Sequence, residues 1–309
     1  MIGHRPRLFQ ECPSRVRIVE VGPRDGLQNE RAPVPAQAKI ELVNALSEAG
    51  HTHIEVASFV SPRRVPQMAD AEAVFRGIEE RAGVTYTALV PNAEGLRRAL
   101  SAGVKSIAVF TAASETFSRK NAGCSIEESL ERIRQVLSLA GQEKLRVRGY
   151  ISTAFVCPYE GRIKPEAVAE VAGRLRGEGV TRISIGDTLG AAFPDQVASL
   201  LELLQQRFGL EGFALHLHDT YRRALANALT GLLHGVEEFD ASAGGLGGCP
   251  FAPGAKGNVA TEDLVELFEG LGIPTGIDLT KQRAAALKIR QLLQRLDAPL
   301  PSAEGCTPP

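Results

Sequence analysis

The sequence has neither an excess of one charge nor a long apolar run. Its 309 residues include 35 basic and 36 acidic side chains, giving a formal net charge of −1. This balance, with lysine and arginine scattered along the chain, argues against a general binder of nucleic acid or of anionic membrane surfaces. No segment approaches the roughly 20 consecutive apolar residues of a membrane-spanning helix. We therefore expect neither nucleic acid nor a membrane among its partners.

The sequence also lacks paired cysteine motifs, and we expect no secretory leader. No two of its five cysteines have CxxC spacing; they are Cys12, Cys124, Cys157, Cys249 and Cys306. The odd number and the spacing disfavour a disulfide framework or a cysteine zinc site, and reduced thiols fit better. The first residues, MIGHRPRLFQECPSR, contain no apolar stretch of the kind found in secretory signals. A cytoplasmic location is the expectation.

Short strand-like runs alternate with amphipathic stretches along the whole chain. Eight runs are predicted as strands, at residues 17–22, 53–58, 86–90, 106–112, 146–152, 182–187, 213–219 and 238–243. The spacing of apolar residues predicts helices around 35–49, 68–81, 92–102, 125–140, 164–178, 194–207, 221–234 and 261–271. Eight strand–helix pairs within about 250 residues match an α/β protein of the (β/α)8, or TIM, barrel type.

An open, doubly wound sheet is the rival fold, but no GxGxxG motif follows the first strand. We expect one catalytic barrel over residues 15–274, without a linker that splits it. Residues 275–309 are expected to add a short C-terminal extension, with a helix near 279–296 and a proline-rich tail. In such barrels the chemistry lies where the strands end and on the loops that follow.

The first predicted strand ends in GPRDGLQNE (22–30), which brings a cation and a carboxylate to the expected barrel mouth. Arg24 could donate two hydrogen bonds to a carbonyl or enolate oxygen. Asp25 could bind a divalent cation. The competing interpretation of this segment alone is a surface Arg–Asp turn.

The seventh predicted strand ends in HLHD (216–219). Side chains alternate along a strand, so His216 and His218 face the same side while Leu217 packs outward. Two inward histidines at this spacing are a natural pair of metal ligands. A single histidine would more often be a hydrogen-bonded core residue.

A glycine-rich loop, GGLGGCPFAPGAKGN (244–258), follows the last predicted strand. Its composition suits a mobile loop or close approach of the backbone to a ligand, and the Walker phosphate-binding spacing is absent. Cys249 could donate a proton from this loop, or be a buried inert thiol. Asn258 could supply an amide oxygen to a cation, or cap the following helix.

Two acids, Glu55 and Asp187, lie inside predicted strands, where a carboxylate is costly unless it is paired or functional. A pairing with Arg24, or support of the two histidines, would satisfy them. A structural salt bridge is the alternative. A six-coordinate Mg²⁺ or Mn²⁺ site, completed by two substrate or water oxygens, is predicted from four side chains: Asp25, His216, His218 and Asn258.

Five segments together resemble the successive signatures of the 3-hydroxy-3-methylglutaryl-CoA lyase family. They are GPRDGLQNE, IEVASFVSPRRVPQMAD (54–70), SRKNAGCSIEESLER (118–132), HLHDTYRRALANAL (216–229) and GLGGCPFAPGAKGNVATEDLV (245–265). The likeness runs in order from about residue 15 to residue 296. It implies metal-dependent retro-Claisen cleavage of 3-hydroxy-3-methylglutaryl-CoA to acetyl-CoA and acetoacetate, a reaction that usually belongs to leucine breakdown and ketone body formation.

The resemblance also implies a role for each matching residue. The divalent cation would be held by Asp25, His216, His218 and Asn258. Arg24 would contact the substrate carbonyl, Cys249 would be the active-site thiol, and Glu55 and Asp187 would support the site. Gln28 and Asn121 are expected to contact the acyl-CoA. The base stays open between His216, a neighbouring acid and a metal-bound water.

The chain departs from the family pattern at Arg222, where the family usually has glycine after HDTY. Near the tail, Cys306 resembles a C-terminal cysteine that can cross-link subunits in some relatives, although reduced thiols are expected here. A homodimer is the expected assembly, since two-fold dimers are the commonest oligomers.

Three other functions compete with this one. A related lyase acting on citramalyl-CoA, or on a longer 3-hydroxy-3-alkylglutaryl-CoA, would share every catalytic residue. A condensing synthase of the isopropylmalate or homocitrate type also has a barrel with an HxH pair, but normally carries a further C-terminal region. A non-catalytic binding barrel should have lost at least one of the four predicted cation ligands, and none is missing.

Overall fold

Eight parallel strands close into a barrel in the computed structural model, which describes residues 9–31, 33–248 and 257–297. Numbered β1 to β8, they are Arg17–Glu20, His53–Ser58, Thr85–Leu89, Ser106–Ala112, Arg146–Ser152, Arg182–Asp187, Phe213–Leu217 and Glu238–Ala241. Each pairs with the next along the chain, and β8 pairs with β1. The predicted TIM barrel is confirmed.

Ten α-helices, counted over the described residues, surround the barrel. Numbered α1 to α10, they are Ala36–Glu48, Ala71–Gly77, Ala93–Ser101, Glu115–Ala122, Ile126–Gln142, Pro165–Gly177, Pro194–Phe208, Ala224–Leu233, Thr261–Gly270 and Leu279–Asp297. The last is the predicted C-terminal helix, and the domain boundary at residue 274 stays a prediction. Within the described ranges, no helix combines the length and apolar character needed to cross a membrane.

Local sequence sets several of these helix starts. Ser125 caps α5, because its Oγ accepts the backbone N–H of Glu128 while the Glu128 carboxylate accepts the backbone N–H of Ser125, at 3.1 and 2.7 Å. Proline opens α6 and α7, where its missing N–H costs nothing.

Several predicted elements differ in their bounds from the structure, and two observed elements were not predicted. α2 covers seven residues rather than 68–81, because a short 3₁₀ turn, Pro66–Met68, precedes it. α4 and a small antiparallel hairpin, Val156–Cys157 with Gly161–Arg162, have no counterpart among the sequence predictions. Both are short elements, for which apolar periodicity is a weak signal.

The first strand ends two residues earlier than predicted, because the chain enters a single π-helical turn, Gly22–Gly26. The carbonyl of Val21 accepts the backbone N–H groups of Arg24, Asp25 and Gly26, at 3.2, 2.7 and 3.2 Å. Turns of this kind are rare and are frequent at functional sites. This one carries two predicted site residues.

The interior of the barrel holds few apolar side chains. Its apolar cluster comprises Leu89, Ala108 and Tyr150, with Phe110 packed against them. Buried charged residues occupy other inward positions, and they touch across strands that are not neighbours. Arg148 of β5 contacts Asp240 of β8 at 2.5 Å, which is possible only through the interior. The main apolar core lies instead between the strands and the surrounding helices.

Glu20, the last residue of β1, faces outward and is fully buried. Its carboxylate accepts hydrogen bonds from the backbone N–H groups of Gly22 and Ala243 and from the hydroxyl of Thr261, at 2.8, 2.9 and 2.7 Å. Burial raises the pKa of Glu20 to about 7 despite these donors.

This raised pKa predicts a pH-dependent stability. Between the ordinary pKa of 4.5 and about 7, the folded protein holds a proton that the unfolded chain has released. The contribution of Glu20 to the free energy of unfolding should therefore fall as pH rises across that range, by roughly 3 kcal/mol. Burial lowers the pKa of His51 to about 4, and this neighbour contributes in the opposite direction. Glu20→Gln is expected to remove this contribution of Glu20, so the difference in unfolding free energy between the unaltered protein and the variant should change with pH in urea series from pH 5 to pH 8. The exposed control Glu94→Gln should keep the contribution, and an unchanged slope in Glu20→Gln would contradict the assignment.

Candidate active site

Three of the predicted cation ligands converge at the carboxyl end of the barrel. Asp25 Oδ2 lies 3.7 Å from His216 Nε2 and 3.9 Å from His218 Nε2. The two Nε2 atoms are 3.3 Å apart. One ligand atom from each residue therefore lies within 4.8 Å of the others, a spacing that a single metal ion can bridge. His216 belongs to β7, whereas His218 follows its end.

Asn258 completes this group from the last part of the barrel. It forms an isolated β-bridge with His218, and its Nδ2 donates to Asp25 Oδ2 at 2.8 Å. Its Oδ1 is buried without a hydrogen-bond partner in the described structure. A half-turn of the amide would exchange the two atoms and present the oxygen to the cluster. Two imidazoles, a carboxylate and an unsatisfied amide oxygen fit a divalent cation.

Asp240 orients His216, and the sequence did not reveal it. The Asp240 Oδ2 atom lies 3.1 Å from His216 Nδ1, which leaves Nε2 directed at Asp25. Ser184 and Arg148 donate to the same carboxylate at 2.7 and 2.5 Å. Burial lowers the pKa of His216, but its hydrogen bond to Asp240 and the charge of Asp25 outweigh this effect and raise the pKa. Such a carboxylate–histidine pair is typical of a metal ligand.

Arg24 is held between two carboxylates. Its Nε donates to Glu55, and its Nη1 donates to Asp25 Oδ1 at 2.5 Å. Tyr150 donates its hydroxyl to the other oxygen of Glu55 at 2.7 Å. Burial would lower the pKa of Arg24, but Glu55 and Asp25 raise it above its ordinary value, so the guanidinium stays charged. Glu55 thus has the pairing that the sequence led us to expect.

Asp187 ends β6 and organises the loop that follows. Its two oxygens accept the backbone N–H groups of Ala191 and Ala192, each at 3.1 Å. Burial raises the pKa of Asp187 to about 6, although these hydrogen bonds and the charge of His218 lower it. The sequence had suggested a pairing of Asp187 with Arg24, but Arg24 pairs with Glu55 and Asp25 instead. Asp187 is stabilised chiefly by backbone N–H groups.

The remaining predicted site residues lie apart from this cluster or beyond the described ranges. Gln28 follows the π-turn, and its Oε1 is buried with no hydrogen-bond partner in the described structure. Asn121 is exposed on α4. Cys249 and Cys306 fall outside the described residues.

Three residues of the site were not predicted: Arg148, Tyr150 and Asp240. The first two belong to the strand RVRGYIS, and Asp240 belongs to EFDASA. Period two places Arg148 and Tyr150 on one face of their strand. A charged side chain at an inward position of a buried strand is a signal that needs a partner, and it could have been used here.

The structure also accounts for the departure at Arg222. Its backbone has φ +58°, in the left-handed region that favours glycine. This turn therefore suits the glycine usual in the family better than it suits arginine, and Arg222 adopts it under strain. The Arg222 side chain is exposed.

We expect Arg222→Gly to raise the free energy of unfolding by roughly 0.5–1 kcal/mol, because relief of strain exceeds the added entropy of the unfolded chain. Arg97, exposed inside α3, provides a matched control. Arg97→Gly should lower stability by about 1 kcal/mol, since glycine is a poor helix former. Equal destabilisation by both changes in urea titrations would rule out the strain at residue 222.

The HMGL-like family model matches residues 15–289 of the chain. A curated relative, the hydroxymethylglutaryl-CoA lyase of Pseudomonas mevalonii, is 51% identical over 89% of this chain and 91% of its own length. The 3-hydroxy-3-isohexenylglutaryl-CoA/hydroxy-methylglutaryl-CoA lyase of Pseudomonas aeruginosa is 53% identical over 86% of this chain and 89% of its own length.

Solved structures show the same relationship. The crystal structure of hydroxymethylglutaryl-CoA lyase from Pseudomonas aeruginosa has a TM-score of 0.90 and 51% identity, covering 91% of this chain and 94% of that one. An HMG-CoA lyase from Acinetobacter baumannii, solved with coenzyme A and 3-methylmalate, has a TM-score of 0.87 and 36% identity, covering 96% and 98%. The resemblance found in the motifs is thereby confirmed, and the chain belongs to the HMGL-like family.

Proposed function

We propose that this protein is a carbon–carbon lyase that cleaves 3-hydroxy-3-methylglutaryl-CoA to acetyl-CoA and acetoacetate with the help of a divalent cation. The observation that carries the proposal is the convergence of Asp25, His216 and His218 beside the buried guanidinium of Arg24. Relatives at 51% and 53% identity bear the name of this activity.

The proposed cation is Mg²⁺ or Mn²⁺, held by Asp25, His216, His218 and Asn258. When bound, it would supply Lewis-acid polarisation of the C3 hydroxyl and fix the substrate in place. Asp240 keeps the Nε2 atom of His216 available for this role by occupying Nδ1. The mixed nitrogen and oxygen donors, together with open positions for substrate, argue against a closed structural zinc site.

Different side chains of the protein would accept the proton, stabilise the negative charge and return the proton during the reaction. A carboxylate near the cluster takes the C3 hydroxyl proton, and the C2–C3 bond then breaks to release acetoacetate. The electron pair of that bond becomes the enolate of acetyl-CoA. Arg24 donates to the thioester oxygen, an electrostatic stabilisation of roughly 3–4 kcal/mol for a well-placed donor. Glu55 and Asp25 fix Arg24 before substrate arrives. Cys249 returns a proton to the enolate carbon.

Purified protein with Mg²⁺ and a panel of thioesters tests the proposal. Mass analysis should show acetoacetate and acetyl-CoA from 3-hydroxy-3-methylglutaryl-CoA. Pyruvate from citramalyl-CoA as the main product would assign the substrate to a related lyase instead. A longer 3-hydroxy-3-alkylglutaryl-CoA belongs in the panel, because the Pseudomonas aeruginosa relative is named for such a substrate as well. No turnover with any thioester would contradict lyase activity.

Cys249→Ala is expected to lower turnover by about 100-fold, the usual contribution of a positioned proton donor. Affinity for the cation should change little, because the thiol is outside the proposed ligand set. Cys306→Ala provides a matched control, with turnover and cation affinity both retained. Steady-state rates and titration with Mn²⁺ followed by electron paramagnetic resonance measure the two effects. Equal loss of both in Cys249→Ala would mean that the thiol has another role.

We also propose a homodimer, with acyl-CoA as the small-molecule partner. Two-fold dimers are the commonest homo-oligomers, and light scattering after gel filtration gives the mass directly. The cytoplasmic location stays a prediction, since relatives include enzymes named as cytoplasmic and as mitochondrial.

A further inference from the structure

A cavity of about 460 Å³ lies at the opposite end of the barrel from the proposed active site. Its wall includes the first residues of six strands: His53, Thr85, Ser106, Arg146, Arg182 and Glu238. Because the strands are parallel, their first residues meet at one mouth and their last residues at the other. The cavity therefore opens at the other mouth from the cluster of Asp25 and the two histidines, although Glu55 and Arg148 of its wall also contact residues of that site.

One carboxylate in this cavity serves three arginines. Glu238 lies 2.9 Å from Arg17, 2.5 Å from Arg182 and 3.2 Å from Arg148, measured between charged atoms. A single negative charge cannot neutralise three guanidinium groups. Asp240, deeper in the barrel, contributes a second carboxylate through its 2.5 Å contact with Arg148.

Within the described residues, Arg146 has no anionic partner and Arg148 has one unsatisfied N–H donor. Arg146 donates to the hydroxyl of Thr85 at 2.9 Å, and it forms no ion pair with any carboxylate in the described ranges. Arg148 is only 7% exposed, yet its Nε atom has no hydrogen-bond partner in the described structure. A buried charged donor without a partner is unfavourable, and an incoming acceptor would satisfy it.

The other acidic residues of the cavity wall do not neutralise this positive charge, because each is paired with a different arginine. Glu55 is paired with Arg24, and Glu178 is paired with Arg134. Four guanidinium groups therefore face two carboxylates at this end of the barrel: those of Arg17, Arg146, Arg148 and Arg182 against Glu238 and Asp240.

His53 lies at the same mouth, and the positive charges around it affect its pKa. Burial first, and then the charge of Arg17, lower the pKa of His53 to about 4, with Arg182 and Arg148 acting in the same direction against Glu238. The histidine is thus neutral near pH 7 and adds no charge of its own.

We propose that this cavity binds a small oxyanion with more than one charged oxygen, held between Arg146 and Arg148. The guanidinium group presents its N–H donors in a planar fork that matches carboxylate and phosphate oxygens. The shared chemistry is that of an inorganic phosphate or a short dicarboxylate. The hydroxyls of Thr85 and Ser106 add neutral donors beside the two arginines.

Calorimetric titration of the magnesium-loaded protein tests the site, with inorganic phosphate and malonate as separate probes. We expect one anion to bind per chain, and Arg146→Gln to weaken its binding by about tenfold, equivalent to roughly 1.4 kcal/mol. Arg97→Gln is the matched control, because Arg97 is exposed on α3 and does not line the cavity. It should bind the anion like the unaltered protein.

Binding of only one probe supports the site and assigns its ligand class. Binding of neither probe, or equal affinity in Arg146→Gln and the unaltered protein, overturns the proposal. Asp25→Asn separates this site from the proposed active site. An anion that is lost in Asp25→Asn but retained in Arg146→Gln is bound at the other end of the barrel, and that result also overturns the proposal.

Discussion

Asp25→Asn should lower turnover roughly a thousandfold, because the cation is expected to supply several kcal/mol of transition-state stabilisation and each 1.4 kcal/mol is tenfold in rate. Asp25 provides the carboxylate oxygen in the proposed ligand set, within 3.9 Å of both histidine Nε2 atoms. The amide keeps the shape of the side chain but removes its charge. Cation affinity, measured by Mn²⁺ titration, should fall at least tenfold along with the rate.

Asp195, exposed in the first turn of α7, provides the control for this experiment. Asp195→Asn removes the same charge without touching the cluster, so rate and cation affinity should both be retained. Asp25 also contacts Arg24 at 2.5 Å. If Asp25→Asn lost turnover while keeping full cation affinity, its role would be to position Arg24 and the ligand assignment would be wrong.

The second large effect is expected for Asp240→Asn. This change weakens the contact that fixes His216 and leaves the buried guanidinium of Arg148 with less negative charge. Loss of a carboxylate behind a metal-binding histidine typically weakens metal binding or activity by 10–100-fold. Breaking a buried ion pair typically costs about 3 kcal/mol or more. We therefore expect losses in turnover, in cation affinity and in the free energy of urea unfolding.

Glu238→Gln separates these two contributions. Glu238 lies on the same strand and contacts the same Arg148, at 3.2 Å, but lies at the far mouth of the barrel from His216. This variant should lose stability and keep most of its cation affinity. Equal cation affinities for Asp240→Asn and Glu238→Gln would show that the contact between Asp240 and His216 is unimportant for the proposed metal site.

The repeating elements could be predicted from the sequence because each follows a local rule. Apolar periodicity located all eight barrel strands and nine of the helices. The predicted end of β1 was wrong because the chain forms a π-helical turn at Gly22–Gly26, and this turn depends on contacts with residues distant in sequence. A Cβ on Gly22 would lie 2.6 Å from the Glu20 carboxylate and 3.2 Å from the backbone nitrogen of Ala243, a residue far along the chain.

Some residues of the site could also be predicted from the sequence, and others could not. Asp25, His216, His218 and Asn258 could be predicted to lie together because they lie at or beyond the carboxyl ends of barrel strands. The pairing of Arg148 with Asp240 could not be predicted, because it depends on which inward positions of non-adjacent strands meet inside the closed barrel.

The hydrogen bond between Asn258 and Asp25 joins residues 233 positions apart, near the two ends of the barrel sequence. A divalent ion bound there would link the first and last parts of the barrel sequence, where the barrel closes. Because only the fully closed chain offers all the donors, the ion would favour that state by mass action. The melting temperature should then rise with the logarithm of the free Mg²⁺ or Mn²⁺ concentration, and a chelator should lower it again.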